Sequence, residues 1–287
     1  MVIDTSTISG LENSLAAYLD VSVDDLYDYI EYASIKAKNG FCFNDDVFND
    51  TLIDIISDLQ PMHIIDEVYV YHLTRRLNST LEDLSSLNLK ELLTTSNAFS
   101  NFLKEHNVTF VENNGLLNMY YNNTLVDLEN CNKFSKEIDF FYLRSRLGYN
   151  VDIYQDFCFN GFMFRNSLMK NNYTRSLYFG PEIITHISNY LDDNSIKTDY
   201  FNNSSYYCYT YKFKLEDIIL DDFEKFNESE KLNKIIVQSC YELLQHKNIP
   251  SSQIYDHNNL IVRLRDNDSA KAEELILKEI ITSDMIQ

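Results

Sequence analysis

At 287 residues, with 45% hydrophobic side chains, the chain is long enough to form one large domain or two modest ones around a packed core. Its formal net charge of −20 disfavours direct binding of duplex nucleic acid, because phosphate contacts need clustered cations. No apolar run is long enough to cross a membrane and the N-terminus lacks the pattern of a signal peptide, so we predict a soluble cytoplasmic protein without a membrane partner.

The numbers of cysteine, histidine and aromatic residues bear on disulfides, metal sites, the source organism and self-association. The five cysteines are far apart and odd in number, and no histidine pair has metal-ligand spacing, so we expect neither a disulfide framework nor a metal site. The chain contains 21 Tyr, 18 Phe and no Trp, with abundant Asn and Ile, which is typical of an AT-rich genome. We therefore expect a low-GC bacterium or its phage as the source. The aromatic content also favours self-association into a homo-oligomer.

The first 60 residues are predicted to form an acidic helical segment that precedes a main domain over residues 61–287. They contain twelve acidic residues and two lysines, which is half of the net charge. A helix is predicted to begin after Ser22, and a second helix covers residues 45–59.

On the first of these helices, three acidic side chains point away from the apolar face. They are Asp24, Asp28 and Glu31. One interpretation is a docking surface for a basic protein, since the electrostatic field of clustered acidic side chains steers a positively charged partner towards them. The other interpretation is a solvated face with no partner.

Beyond residue 61, strands and helices mix without regular alternation, which predicts an α+β fold with a mixed or antiparallel sheet and surrounding helices. The predicted strands are residues 67–73, a meander over 108–128, a hairpin that turns at Asn160-Gly161, residues 205–220 and residues 259–266. The predicted helices are residues 79–93, 181–191, 228–248 and a closing helix over 269–282.

The usual catalytic and phosphate-binding motifs are absent from the sequence, including glycine-rich loops, H-E-x-x-H and G-x-S-x-G. The segment VYVYHLTRRLN, residues 68–78, instead places His72, Arg75 and Arg76 where the first strand is predicted to end. Arg263 and Arg265 are two residues apart in a predicted strand, so they would share a face and present two guanidinium groups to a phosphate or carboxylate. Neutralisation of nearby acids is the alternative role for these arginines.

The stretch that begins VYVYHLTRRLNSTLEDL resembles the opening of an ADP-ribosyltransferase domain, in which a strand ends in a His-x-Thr motif. His72 and Thr74 match that motif over about 25 residues. The resemblance implies that His72 and Thr74 hold the NAD ribose and amide as the catalytic pair, and that Arg75 or Arg76 binds the pyrophosphate. Arg263 and Arg265 are further candidates for that phosphate contact. The family's Glu-x-Glu pair is not found, because the corresponding stretch reads Gln253-Ile254-Tyr255.

Two hypotheses follow from the sequence. The first is an NAD-binding, ADP-ribosyltransferase-like domain in either an active or a degenerate form. The second is a non-catalytic acidic protein, encoded by a phage or mobile element, that inhibits a host defence protein such as a nuclease by direct contact.

Overall fold

A computed structural model of the protein describes residues 1–80, 85–130, 134–149, 157–166, 168–220, 226–248 and 259–286. The α-helices, α1 to α10 in chain order, are Ile8–Leu19, Val23–Ala37, Asp45–Leu59, Leu89–Thr94, Ala98–Glu105, Glu137–Arg146, Asn172–Tyr178, Glu182–Leu191, Asn194–Asn202 and Glu228–Asn248. The strands, β1 to β12, are Val2–Ile3, Lys38–Asn39, Cys42–Phe43, Glu67–Leu77, Val108–Asn113, Leu116–Tyr121, Thr124–Leu125, Asn160–Phe162, Ser204–Lys214, Ile219–Leu220, Ile261–Arg263 and Leu275–Ile280. This combination confirms the predicted α+β class.

The largest sheet is mixed, with the strand order β10-β11-β8-β4-β9-β12 and with β1 beside β4. β1 runs parallel to β4, whereas β8 pairs antiparallel with β4 at Tyr71 and Phe162. At Gly161 a Cβ atom would lie 2.5 Å from the side chain of Val70, so the missing side chain permits this close pairing. A separate meander of β5, β6 and β7 confirms the prediction for residues 108–128.

The chain divides into two compact units. Unit 1 comprises Met1–Tyr71, Gly161–Asn171 and Thr210–Arg263, and unit 2 comprises His72–Asn160, Asn172–Tyr209 and Leu264–Gln287. The long strands β4 and β9 contribute residues to both units. The acidic residues 1–60 lie in unit 1 together with later segments of the chain.

The helices α2 and α3 of unit 1 begin where the sequence predicts, whereas α1 was not predicted. Ser22 caps α2 through a reciprocal capping box with Asp25, and the side chain of Asn44 caps α3. The apolar faces of these helices are buried in the core of unit 1, as Leu26 and Phe48 show. The exposed faces of α2 and α3 therefore carry the acidic residues.

In unit 2, one apolar cluster joins α4, α5, α6, α8 and α9 to the β5–β6 hairpin. Its members include Leu93, Phe102, Phe110, Leu143 and Ile187. Of the predicted helix over residues 79–93, only the part from Leu89 onward lies in α4, and residues 81–84 lie outside the described part of the chain.

The prediction that the first strand ends near His72 is wrong, because β4 continues to Leu77. The burial of alternate side chains persists to the end of the strand, so Arg75 and Arg76 occupy regular strand positions. The predicted hairpin turn at Asn160-Gly161 is also wrong. Both residues lie in β8, while the first predicted strand of that hairpin falls partly on residues outside the described ranges.

Two predictions for the last part of the chain are corrected as well. The expected closing helix is instead a short 3-10 turn followed by β12, in which tertiary pairing at the sheet overrides the local helical pattern. The strand expected over residues 259–266 ends at Arg263, so Arg265 does not share a strand face with it.

Candidate functional site

The strand β4 separates the two neighbouring arginines. His72, Thr74 and Arg76 alternate along one face of the strand and are partly buried, whereas Arg75 is buried on the opposite face. The sequence grouped all four residues, but the pleat of the strand brings only three of them together. Arg75 and Arg76 therefore have different environments.

The Arg75 side chain is occupied by contacts within unit 2. Its guanidinium donates hydrogen bonds to the carbonyl oxygens of Tyr178, Phe201 (3.0 Å) and Ser204 (2.7 Å), and Nε donates to the Ser204 hydroxyl at 2.9 Å. The Phe201 ring lies 4.4 Å from the guanidinium carbon. Since these contacts use all three guanidinium nitrogens, Arg75 stabilises the fold of unit 2 and is a poor candidate for binding a ligand.

His72 is held in a defined orientation by the strand β8. Its Nδ1 lies 2.7 Å from the carbonyl oxygen of Asn160, and its ring packs on Phe159 at 4.6 Å between centroids. Burial, with the positive charge of Arg76, lowers the pKa of His72 to about 4. The imidazole is therefore neutral at pH 7, with its hydrogen on Nδ1 and Nε2 as the acceptor of the ring.

Arg76 and Lys278 both place a cation over the Tyr209 ring, and Lys278 also contacts the neighbouring Tyr207 ring. The guanidinium carbon of Arg76 lies 5.4 Å from the Tyr209 ring centroid, and Nζ of Lys278 lies 4.6 Å from that of Tyr207. Burial and the charge of Arg76 lower the pKa of Lys278. We call the set His72, Thr74, Arg76, Tyr207, Tyr209 and Lys278 the Arg76 face. Two cations that repel each other in a partly buried place favour an anion between or beside them.

Two buried polar atoms on β4 and β8 have no hydrogen-bond partner among the described residues. They are Nε of Arg76, which is a donor, and Oδ1 of Asn160, which is an acceptor. The two donors of Nη2 of Arg76 are used, because Nη2 contacts the Ser85 carbonyl oxygen at 2.9 Å and the Ser86 hydroxyl at 2.5 Å. Leaving a buried polar atom without a partner costs about 1–3 kcal/mol, so Nε of Arg76 indicates a place for a polar ligand near His72. The side chain of Asn160 lies on the other face of the sheet, because it shares the face of Phe162 and Tyr71.

The other predicted site residues lie elsewhere. Arg263 belongs to unit 1 and is partly buried, while Arg265 belongs to unit 2 and is exposed. Asp24, Asp28 and Glu31 are exposed on α2 in unit 1, and Glu31 forms an ion pair with Lys247 at 3.0 Å. None of these five residues belongs to the Arg76 face.

Sequence reasoning missed Asn160, Tyr207, Tyr209 and Lys278. The alternating tyrosines of the strand prediction were a signal for the two ring positions, since residues 207 and 209 share a strand face. Lys278 was assigned to a helix, and Asn160 was assigned to a turn, so neither was placed near His72.

A second polar cluster in unit 2 was also not predicted. His186 Nδ1 on α8 lies 2.7 Å from a carboxylate oxygen of Asp139 on α6, and the imidazole stacks on Tyr142 at 3.8 Å. The Tyr142 hydroxyl donates to Glu182 at 3.2 Å, and burial raises its pKa. These contacts connect one face of α6 to one face of α8, which is a structural role.

Within the described part of the chain, no group of histidine, cysteine or acidic side chains is arranged to hold a metal ion. No helix of that part is both long and apolar enough to span a bilayer. Comparison of the chain with protein-family models, with curated proteins and with solved structures gives no match.

Proposed function

We propose that the protein is ADP-ribosyltransferase-like and that its Arg76 face binds NAD. The observation that carries this proposal is the buried Nε of Arg76, a donor without a partner among the described residues, on the same strand face as a neutral imidazole. A ligand that satisfies this atom must present an acceptor to the arginine, and a donor would suit Nε2 of His72. NAD offers phosphate oxygens as acceptors and carboxamide or ribose hydrogens as donors.

The remaining residues of the face fit the same ligand. Arg76 and Lys278 supply positive charge for a pyrophosphate, and the buried rings of Tyr207 and Tyr209 hold these two cations in position. His72 carries an acceptor at Nε2, which suits a ribose hydroxyl. This assignment keeps the roles that the His-x-Thr resemblance implies for His72 and Thr74, and it selects Arg76 over Arg75.

The proposal concerns the binding of NAD and not catalysis. At neutral pH His72 is uncharged and its Nδ1 is held by a backbone carbonyl, so it orients a hydroxyl and does not deliver a proton. The stretch Gln253-Ile254-Tyr255, where the family has its glutamate, lies outside the described residues. A binding assay therefore tests the proposal more directly than an activity assay.

Isothermal titration with NAD, ADP-ribose and nicotinamide tests the proposal. We expect saturable binding of NAD and ADP-ribose, and Arg76→Gln should weaken both by about tenfold or more because the phosphate contact is lost.

Arg265→Gln is the matched control, because it removes an exposed arginine of the same unit that lies outside the Arg76 face. NAD binding should be unchanged in this variant. Absence of heat at millimolar NAD and millimolar ADP-ribose in the wild-type protein would refute the proposal. So would equal losses in the Arg76→Gln and Arg265→Gln variants.

We also propose a second function, in which an acidic surface of unit 1 binds a basic protein and blocks it, as expected for an inhibitor of a host defence nuclease. Four aspartates follow one another at every fourth position of α3. They are Asp46, Asp50, Asp54 and Asp58, which we call the Asp stripe. All four are exposed, and none forms an ion pair with a described residue.

The Asp stripe works against the stability of its own helix. Like charges four residues apart repel each other, at about 0.2–0.5 kcal/mol for each pair. Asp58 also lies in the last turn, which has no basic residue and where the helix dipole disfavours a negative charge. A surface that destabilises the isolated protein supports a role in binding.

Neutralising the stripe is a cleaner test than deleting residues 1–60, because that segment contributes Leu26 and Phe48 to the core of unit 1. Bacteria that carry a nuclease-based defence should admit more phage when they express the wild-type protein. The variant with asparagine at all four positions should lose this effect, whereas Arg76→Gln should retain it. If the wild type and the four-asparagine variant allow equal phage infection, the second function is excluded.

A further inference from the structure

An exposed phenylalanine sits at the tip of the short hairpin between α2 and α3. The strands β2 and β3 pair Asn39 with Cys42, so Gly40 and Phe41 form a two-residue turn. Gly40 has φ of +64°, which suits a primed hairpin turn, and Phe41 is fully exposed to solvent. The chain therefore presents a large apolar ring on a tight turn.

The base of this hairpin is well anchored, so the exposure of Phe41 is a fixed feature of the fold. The Phe43 ring packs on Phe48 at 5.4 Å and on Tyr241 of α10 at 6.2 Å. The backbone nitrogen of Asn44 donates to the carbonyl oxygen of Ala37 at 3.0 Å, which joins the end of α2 to the start of α3. Phe43 supports the fold of unit 1, whereas Phe41 makes no comparable ring contact among the described residues.

Further apolar side chains are exposed on the turns that flank the hairpin. Tyr32 and Ile35 lie three residues apart on the end of α2, and Val47 lies in the first turn of α3. Together with Phe41 they form what we call the hairpin patch. Exposed apolar groups that occur together mark contact sites more often than isolated ones do.

Charge indicates what kind of partner covers the hairpin patch. The Asp stripe begins at Asp46, next to Val47, and it runs about 18 Å along α3 at 1.5 Å per residue. Two lysines, Lys36 and Lys38, lie near the patch. Nζ of Lys36 lies 4.6 Å from the centroid of the Tyr32 ring, and Lys38 is exposed. These two charges are outnumbered, because residues 1–60 carry twelve acids against two lysines. Both a second copy of this chain and an anionic surface would be repelled.

We propose that the hairpin patch and the Asp stripe form one docking surface for a basic protein, with Phe41 as the anchor that enters an apolar pocket of the partner. The partner presents lysines or arginines at helical spacing beside that pocket, so that they face the aspartates. This inference rests on the second proposed function and adds the apolar anchor. Buried aromatic anchors carry most of the affinity of such interfaces, while surrounding charges set the rate and selectivity of association.

A peptide probe tests the surface, because the chain contains no tryptophan. The probe is a synthetic helical peptide with lysines at every fourth position, leucines at one end and a single tryptophan among them. Its emission should shift to the blue on binding, since only the peptide contributes this signal. Phe41→Ser should weaken binding about tenfold or more. Ile138→Ser, which removes an exposed apolar side chain of unit 2, should leave it unchanged.

A second readout reports the location of the bound peptide. Cys42 is exposed beside Phe41, whereas Cys158, Cys208 and Cys240 are buried. In a Cys131→Ser background, the bound peptide should slow alkylation of Cys42. A peptide with glutamate in place of lysine should neither bind nor protect.

The outcomes separate the anchor from the acidic surface. If the four-asparagine variant loses binding but Phe41→Ser does not, the acidic surface stands and the anchor is refuted. If neither variant changes binding, both are refuted. Dimerisation of the wild-type chain that disappears with Phe41→Ser, or Phe41-dependent binding to phosphatidylcholine vesicles, would also overturn the proposal by showing a different occupant.

Discussion

The Arg76 face and the Asp stripe each collect charge of one sign, but the two regions keep that charge in different surroundings. In unit 2, Arg76 and Lys278 are partly buried against tyrosine rings, where burial and the charge of Arg76 lower the pKa of Lys278. In unit 1, the four aspartates are exposed to water. Dissolved ions screen the charges of the exposed aspartates over about 10 Å at ordinary salt. Burial instead strengthens the electrostatic interactions of Arg76 and Lys278.

This difference suggests two kinds of recognition. A partly buried cation pair gains most from a small anion that reaches it directly and replaces the water it has lost. An exposed acidic row acts over a wider area and favours a large partner that brings several cations at once. Variants of the two regions should therefore differ in stability and in binding.

The largest effect should distinguish the two adjacent arginines. Arg75→Ala should lower the free energy of unfolding by about 3 kcal/mol or more, because a buried set of charged hydrogen bonds is removed. Arg76→Ala should change it by only about 1 kcal/mol, since the loss of its bonds to residues 85 and 86 is offset by relief of the repulsion with Lys278. Urea denaturation measures both variants.

If Arg75→Ala and Arg76→Ala lower the free energy of unfolding by similar amounts, the distinction between a structural Arg75 and a ligand-binding Arg76 is wrong. NAD titration of Arg75→Lys provides a further control. This variant should bind NAD normally if it folds, because residue 75 faces away from the Arg76 face.

A second prediction concerns the dependence of stability on pH. The pKa of His72 is about 4 in the folded protein against an ordinary 6.5, so the unfolded chain binds the proton more readily. The contribution of this residue is therefore present above pH 6.5 and is lost as the pH falls towards 4. From about pH 7 to about pH 5 the wild type should lose about 2 kcal/mol more than His72→Gln.

Denaturation curves of the two proteins at both pH values measure this difference. The comparison with His72→Gln removes the contribution of all other titrating groups. Parallel losses in wild type and variant would show that His72 is not held neutral, and would remove the acceptor role that we assign to Nε2.

The smallest effect should appear on α3. Asp50→Lys replaces two repulsive pairs, with Asp46 and Asp54, by two attractive ones, and it should stabilise unit 1 by about 0.5–1 kcal/mol. Asp50→Asn should give about half of that gain. Added salt should reduce the difference between the variants, because the residues are exposed. Destabilisation by Asp50→Lys would mean that the Asp stripe has a structural role.

The local patterns of the sequence were sufficient for the helices α2, α3 and α10 of unit 1, but α1 and the β2–β3 hairpin were not predicted. The caps at Ser22 and Asn44, the ends of α2 and α3 and the long helix α10 all follow from residues within one or two turns of each other. Helix periodicity and caps are short-range properties, so a single sequence predicts them well. The turns at Asn114-Gly115 and Asn122-Asn123 were predictable for the same reason.

The residues around His72 were predicted only in part. The sequence identified His72, Thr74 and Arg76 but could not separate Arg76 from Arg75, because the face of a strand position depends on where the strand ends. It missed Asn160, since an Asn-Gly pair is typical of a turn, and here that pair lies within β8 beside β4. It missed Lys278 because residues 269–282 have a helical pattern.

The sequence by itself determined the α+β class, the caps and ends of the acidic helices and the concentration of negative charge in residues 1–60. Only the tertiary structure decided that Arg75 is enclosed and Arg76 is left with a buried donor, and that Lys278 reaches the tyrosines of β9. The physical reason is the range of the interactions involved. Helix caps and periodicity act between residues close in sequence, whereas strand pairing joins β4, β8, β9 and β12 from distant parts of the chain.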